Sequence, residues 1–218
     1  MRPVCLIVGA GPGIGRSVAL AFAREGYDLA LAARHPARLA EFRAELDQAG
    51  AASRTYGVDA GDERSIRALF AAVRQDAGDP EVLVYNPAAH SPGKPTTLKA
   101  DALAADFAVN VTGALLCAQQ AAAGMKDRGR GTILLTGGGF AHEPAANYAS
   151  LSLGKAALRN LTYSLAQELG AYGIHVATVT VYGFVQSGTQ YDPGRIAEAF
   201  VRLHRQAPGH FQTELVFK

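Results

Sequence analysis

The chain is poor in charge of either sign. Asp, Glu, Lys and Arg make up 18% of its 218 residues, and their near balance leaves a formal net charge of +2. Lys and Arg are scattered, which removes the electrostatic footprint that a nucleic-acid binder or a polybasic membrane anchor needs, so neither nucleic acid nor membrane is expected as a partner. Cysteine is nearly missing. Cys5 lies in an apolar strand-like run and Cys117 in an apolar helix-like run, a pair with neither a disulfide framework nor a metal-ligand spacing, and a reducing, cytoplasmic setting is expected. The histidines show no paired spacing, so no metal site is expected. Charge runs, low-complexity tracts and internal repeats are missing too. The short segment before the first glycine leaves no room for the charged and apolar parts of a secretion signal. The apolar stretch from Phe107 to Met125 is interrupted by Asn110, Thr112, Gly113, Gln119 and Gln120, and reads as a buried core helix rather than a membrane span.

What the chain does have is apolar surface. At 49% hydrophobic residues it is able to bury a sizeable core, and its length suits one domain over residues 1–218. Short apolar runs alternate with longer helical patterns: Cys5 to Val8, Leu29 to Ala33, Val82 to Tyr85, Thr132 to Thr136 and His175 to Val181, with weaker runs at Arg54 to Val58 and Glu214 to Phe217. Runs apolar throughout are what strands covered on both faces require. Helical patterns fall at Ile14 to Glu25, Pro36 to Ala49, Arg64 to Ala77, Ala100 to Met125, Leu153 to Leu169 and Pro193 to Gln206. The alternation predicts a doubly wound (Rossmann) α/β fold: a parallel sheet of about seven strands with helices on both faces.

The first strand leads into Gly9-Ala10-Gly11-Pro12-Gly13-Ile14-Gly15 and then a helix. Glycines in such a turn let the backbone approach a pyrophosphate seated at a helix N-terminus, where free amides and the dipole favour negative charge. The strict G-x-G-x-x-G spacing fails; G-x-x-x-G-x-G through Gly9, Gly13 and Gly15 fits, with Ile14 opening the helix. At the end of the second strand, a site preferring NAD would carry Asp or Glu for the adenosine ribose. Here Ala33 is followed by Arg34, whose planar fork suits a 2′-phosphate, so NADP(H) is the expected cofactor.

Together these motifs resemble the short-chain dehydrogenase/reductase family, and the likeness runs from Val4 to Phe217 in the right order. The resemblance implies that Asp59 in GVDA reads the adenine amine. It places Asn86 in the V-Y-N-P-A segment where the family has V-N-N-A-G, and Ser187 where the family has a threonine beside the nicotinamide carboxamide. It makes Asn110 in FAVNVTG a support of the lysine's proton relay and Lys155 in SLGKAAL the lysine of Y-x-x-x-K. A small-molecule substrate and a homo-oligomer, dimer or tetramer, follow from the same resemblance. The stretches around Leu103 to Met125 and Leu153 to Leu169 carry apolar residues beyond one helical face, as such an assembly needs.

The departures fall in the catalytic centre. Four residues before Lys155 stands Leu151, where the family's proton-donating tyrosine belongs, and Gly137-Gly138-Gly139 occupies the place of its serine. Tyr148 and His142 are the candidate substitutes for the donor, with Ser152 and His90 behind them. A second departure is length: Tyr182 to Asp192 replaces a longer helical insertion over the substrate, so the shortened lid leaves the site open, closed by a partner chain, or adapted to a bulky substrate. Two functions stand against each other: an NADP(H)-dependent oxidoreductase moving hydride between cofactor and a carbonyl or alcohol with a non-standard proton donor, and a catalytically inactive NADP(H)-binding protein serving as sensor or assembly subunit.

Overall fold

The computed structural model describes residues 2–218, apart from the side chains at 40 and 41. Its sheet has seven parallel strands, β1 (Val4–Val8), β2 (Asp28–Ala33), β3 (Ser53–Gly57), β4 (Val82–Tyr85), β5 (Gly131–Gly138), β6 (Ile174–Val181) and β7 (Glu214–Phe217), in the order β3-β2-β1-β4-β5-β6-β7. The helices are α1 (Ile14–Arg24), α2 (Arg43–Gln48), α3 (Glu63–Ala77), α4 (Ala100–Phe107), α5 (Gly113–Arg128), α6 (Ala149–Gly170) and α7 (Pro193–His204). This is the single-domain, doubly wound fold expected from the alternation of runs.

Successive strand residues point to opposite faces, so each central strand feeds two cores. Along β1, Cys5 and Ile7 pack with Val18 and Phe22 of α1 and Phe200 of α7. Val4, Leu6 and Val8 pack with Phe70 of α3 and Cys117 and Met125 of α5. Burial of each such large side chain stabilises by about 1.5–3 kcal/mol, and β1 accordingly carries no polar side chain. Strand order reverses between β1 and β4, and that reversal opens a crevice at the carboxyl ends of the strands.

Three helices differ from the sequence reading. The pattern over Pro36 to Ala49 divides into a 3-10 segment, Pro36–Phe42, and the short α2. The run from Ala100 is long and apolar enough to cross a membrane by length and composition. Here it is broken by a π turn at Ala108–Thr112, where the Val109 carbonyl accepts a hydrogen bond from the Tyr85 hydroxyl. One side of α5 then lies against the sheet through Ala114, Cys117, Ala118 and Ala121. Helix α6 begins at Ala149 rather than Leu153, with Tyr148 as its N-cap. Tyr148 is no capping residue; the amide and hydroxyl of Ser152 both donate to its carbonyl, at 2.8 and 2.9 Å, and so tie the first turn.

The last strand is fastened by one carboxylate. Glu214 accepts hydrogen bonds from Thr180 of β6 at 2.7 Å, His142 at 3.0 Å, Arg159 of α6 at 2.9 Å and Tyr163 of α6 at 3.0 Å. Burial pushes its pKa up, but the bonds from Arg159, Thr180, His142 and Tyr163 prevail and bring it from 4.5 down to about 2. A depressed carboxylate stabilises the fold above its ordinary pKa, and the contribution is lost as pH falls through the folded value. Glu214→Gln is therefore expected to lower the melting temperature at neutral pH by on the order of 5 °C. It should also flatten the parent's loss of stability between about pH 4.5 and 2, both read from circular-dichroism melts across a pH series.

Candidate active site

The glycine loop after β1 divides its glycines by task. Gly9 has φ +83° and stands so close to the β4–α4 loop that a Cβ would lie 2.9 Å from the Pro87 nitrogen. Gly15 lets α1 close on the strand, because a Cβ there would run into the Gly9 carbonyl. Gly11 and Gly13 differ: a Cβ at either would meet nothing within 4 Å, and Gly13 has φ +91°. Their hydrogens face open space at the start of α1, whose N-cap, Gly13, offers no side-chain cap. The loop is a cradle that side chains would fill.

From this loop a cavity of about 500 Å³ extends over the ends of β1, β2 and β3. Arg34 and Asp59 line it, as the sequence reading placed them. Arg38 and His35 line it too, and that reading missed both. Arg38 enters because the 3-10 segment starting at Pro36 carries it back beside the cavity; the signal was a second arginine four residues beyond Arg34. Asp59 is oriented by its own turn, its carboxylate accepting from the Gly61 amide at 2.9 Å while its amide bonds the Ser65 hydroxyl at 2.9 Å.

Asn86 follows β4 directly and is not among the residues that line the cavities at the strand ends. Its amide donates to the Gly9 carbonyl at 2.9 Å and accepts from the Thr136 hydroxyl at 2.8 Å, joining the ends of β1, β4 and β5. The carbonyl of the same Thr136 accepts a hydrogen bond from Lys155 Nζ at 2.6 Å. Asn110, buried in the π turn, exchanges two 2.8 Å hydrogen bonds with the backbone of Ala89. Its side chain thus fixes the β4–α4 loop and is occupied there; Gly154 makes room for it, since a Cβ at that position would lie 2.8 Å from Asn110 Nδ2.

A second cavity, of about 410 Å³, lies over β5 and β6 and holds Lys155, Leu151 and Gly138 together with Ile14, Phe140 and Phe184. Lys155 is buried within it, and burial pushes its pKa down from 10.5 to about 8. A Cβ at Gly138 would rest at 3.5 Å on the Lys155 stem, ordinary contact, so the lysine lies flat across the strand end. Glu143 and Tyr182 also line this cavity and were missed from sequence; each follows a strand-end segment whose path no periodicity reveals.

Neither proposed substitute donor is among the residues lining the lysine's cavity, though the Tyr148 ring packs on two of its walls, Phe140 and Phe184. His142 is exposed and bonded to Glu214, because the short 3-10 turn Gly139–Ala141 sends it toward β7. Tyr148 lines neither cavity. Its ring stacks on Phe140 at 5.2 Å between centroids and meets His90 edge-on at 5.3 Å. Ser152 is buried and spent on the first turn of α6, and His90 lines the cavity of the glycine loop. Ser187 is exposed on the loop between β6 and α7 and is not among the lining residues. Among the described residues no cluster of metal-ligating side chains occurs.

Comparison with known proteins decides the family. The family model described as short chain dehydrogenase matches residues 3–192. The chain belongs to the short-chain dehydrogenase family. Among curated short-chain dehydrogenase relatives it is 33% identical over 217 residues to 2-(S)-hydroxypropyl-CoM dehydrogenase 3 of Xanthobacter autotrophicus, covering 96% of this chain and 84% of that one. It is 34% identical over 179 residues to 1-cyclohexenylcarbonyl-CoA reductase of Streptomyces collinus, covering 82% of this chain and 63% of that one. Among solved structures, a metagenomic short-chain oxidoreductase in complex with NADP superposes with a TM-score of 0.90 at 26% identity, covering 98% of this chain and 96% of that one.

Proposed function

We propose that this short-chain dehydrogenase binds NADP(H) across its two cavities and moves hydride between that cofactor and a carbonyl or alcohol, with Lys155 rather than a tyrosine as proton donor. The observation that carries the reading is the open cradle at Gly11 and Gly13 between a cavity lined by two arginines and a cavity holding Lys155. The cradle has room for a pyrophosphate that any Cβ would exclude. Arg34, just after β2, and Arg38, in the 3-10 segment, line one cavity with Asp59, and two guanidinium groups suit a 2′-phosphate. The structural relative solved in complex with NADP supports the choice of cofactor.

NADPH, when bound, would supply hydride to a carbonyl carbon. The chain's part is to hold and protonate. Lys155 would bond the nicotinamide ribose through Nζ while its remaining hydrogens face the cavity. With Leu151 in the position of the family's phenol and Gly138 in that of its serine, no hydroxyl intervenes between ammonium and substrate oxygen. A group with a pKa of about 8 is well matched to proton donation near neutrality. The short loop between β6 and α7, with the exposed Phe184 and Val185, leaves the substrate side broad and apolar. The buried free thiols of Cys5 and Cys117 suit a cytoplasmic setting.

Preference for the phosphorylated cofactor rests on Arg34 and Arg38. Each charge-assisted bond is worth about 1.5–3 kcal/mol, so the parent should bind NADPH ten- to a hundredfold more tightly than NADH or better. Arg34→Ala with Arg38→Ala should erase the difference in fluorescence titrations. Equal affinities in the parent would refute the assignment.

Leu151 and Gly138 also favour a second reading, an inactive NADP(H)-binding sensor or assembly subunit that lost the family's donor pair. The readings part on NADPH consumption against a panel of apolar ketones and quinones. The oxidoreductase consumes NADPH as it stands. A parent that binds NADPH without consuming it, while Leu151→Tyr with Gly138→Ser gains turnover beside Asn110 and Lys155, is the inactive binder. The serine fits, since the contact at Gly138 is ordinary.

A homodimer or tetramer belongs to the same proposal. Leu153 of α6 is 50% exposed and Phe107, ending α4, is 36% exposed, so both present apolar surface outward. Light scattering is expected to return two or four chains per particle; a single-chain mass at micromolar concentration refutes it.

A further inference from the structure

Lys155 has a chemistry that needs no nucleotide. Its side chain is 7% exposed, and among the described residues the Thr136 carbonyl is the one hydrogen-bond partner of an ammonium with three hydrogens to donate. Its stem lies across Gly138, and the residue lines a cavity of about 410 Å³ walled also by Ile14, Phe140, Leu151, Val181 and Phe184. A space of that size, mostly apolar with a few polar side chains on its wall, has the character of a small-molecule pocket. The titratable groups facing the same cavity are Glu143, after β5, and Tyr182, after β6; the lining residues from α1, β5, β6 and the rest of α6 are uncharged. Burial holds the amine at a pKa of about 8, so at neutral pH its neutral fraction is on the order of a hundredfold that of an ordinary lysine.

We propose that Lys155, when no nucleotide occupies it, is a carbonyl-reactive amine that forms an imine with apolar aldehydes and unhindered ketones held in this cavity. The neutral Nζ lone pair attacks the carbonyl carbon and forms the C–N bond while the C=O π electrons move to oxygen. A proton passes from nitrogen to that oxygen, giving a carbinolamine. The C–O bond then breaks, the oxygen leaves as water with a second proton, and C=N forms. Amine and carbonyl become imine and water, with no change of oxidation state. Once protonated, the imine draws electrons from the neighbouring carbon and loosens its C–H bond, the use that desolvated lysines serve elsewhere. The proposal does not rest on the hydride reading, although the two uses compete for one nitrogen.

Reductive trapping tests it. The full chain, freed of nucleotide, is incubated near neutral pH with benzaldehyde and sodium cyanoborohydride, and in parallel with glyoxylate, and benzyl or carboxymethyl groups are located by peptide mass mapping. Lys94, Lys99, Lys126 and Lys218 serve as internal controls, so no variant needs to fold. Lys155 is expected to be labelled at least about tenfold faster than any of these, the hundredfold gain in neutral amine being offset in part by weaker nucleophilicity. Benzaldehyde should label it faster than glyoxylate. Labelling of Lys155 no faster than the other lysines overturns the proposal, and preference for glyoxylate overturns its apolar substrate class. A third arm with saturating NADPH separates the two readings: selective labelling that NADPH suppresses supports both. Selective labelling that NADPH leaves unchanged supports the imine and counts against the nucleotide placement.

Discussion

One side chain ties the functional end of the molecule together. Asn86 donates to the carbonyl of Gly9 and accepts from the hydroxyl of Thr136, and the carbonyl of Thr136 in turn receives Lys155. The glycine loop and the buried lysine are thereby joined by three hydrogen bonds across β1, β4 and β5. In the low dielectric at the strand ends, loss of any one leaves a partner unsatisfied, so the arrangement holds as a unit. The two halves of a dinucleotide site need that fixed spacing. Asn110 adds the next loop by clamping both polar groups of Ala89, and Glu214 fixes the far wall through His142 and α6.

Much of this was legible in the residues. The strands read correctly because burial on both faces leaves unbroken apolar runs, and the turn from β1 into α1 was legible because only glycine serves positions with a positive φ or a close backbone approach. Three things were not. The π turn leaves the apolar pattern of Ala100 to Met125 nearly unchanged, so the displacement of Asn110 toward Ala89 had no sequence signal. The start of α6 was read late, since Tyr148 is not a capping residue and Ser152 ties the first turn from within. With the helix beginning at Ala149, Tyr148 stands as its N-cap about two turns before Lys155, and its ring packs with Phe140 and His90. Arg38 was overlooked because a 3-10 turn, and not the expected α-helix, carries it to the cavity. Side-chain destinations set by irregular turns are what one-dimensional patterns lose.

The site is also uneven in a chemically useful way. Its adenosine end is polar and cationic, through Arg34, Arg38 and His35 beside Asp59. Its other end is mostly apolar around one amine, with Glu143 and Tyr182 also on the wall. Leu151 lines the same wall as the lysine, and burial alone sets the lysine's lowered pKa. A lysine in such surroundings is matched to holding a ribose, giving a proton or attacking a carbonyl. Which of these occurs at a given moment depends on what fills the cavity beside it.

The central claim is the placement of the nucleotide, and a crystal structure of the chain grown with NADP tests it most directly. The account predicts the pyrophosphate against Gly11 and Gly13 at the start of α1, the 2′-phosphate between Arg34 and Arg38, and the nicotinamide half in the cavity of Lys155. Phosphates bound away from the glycine loop, or an adenosine end turned away from both arginines, would contradict it.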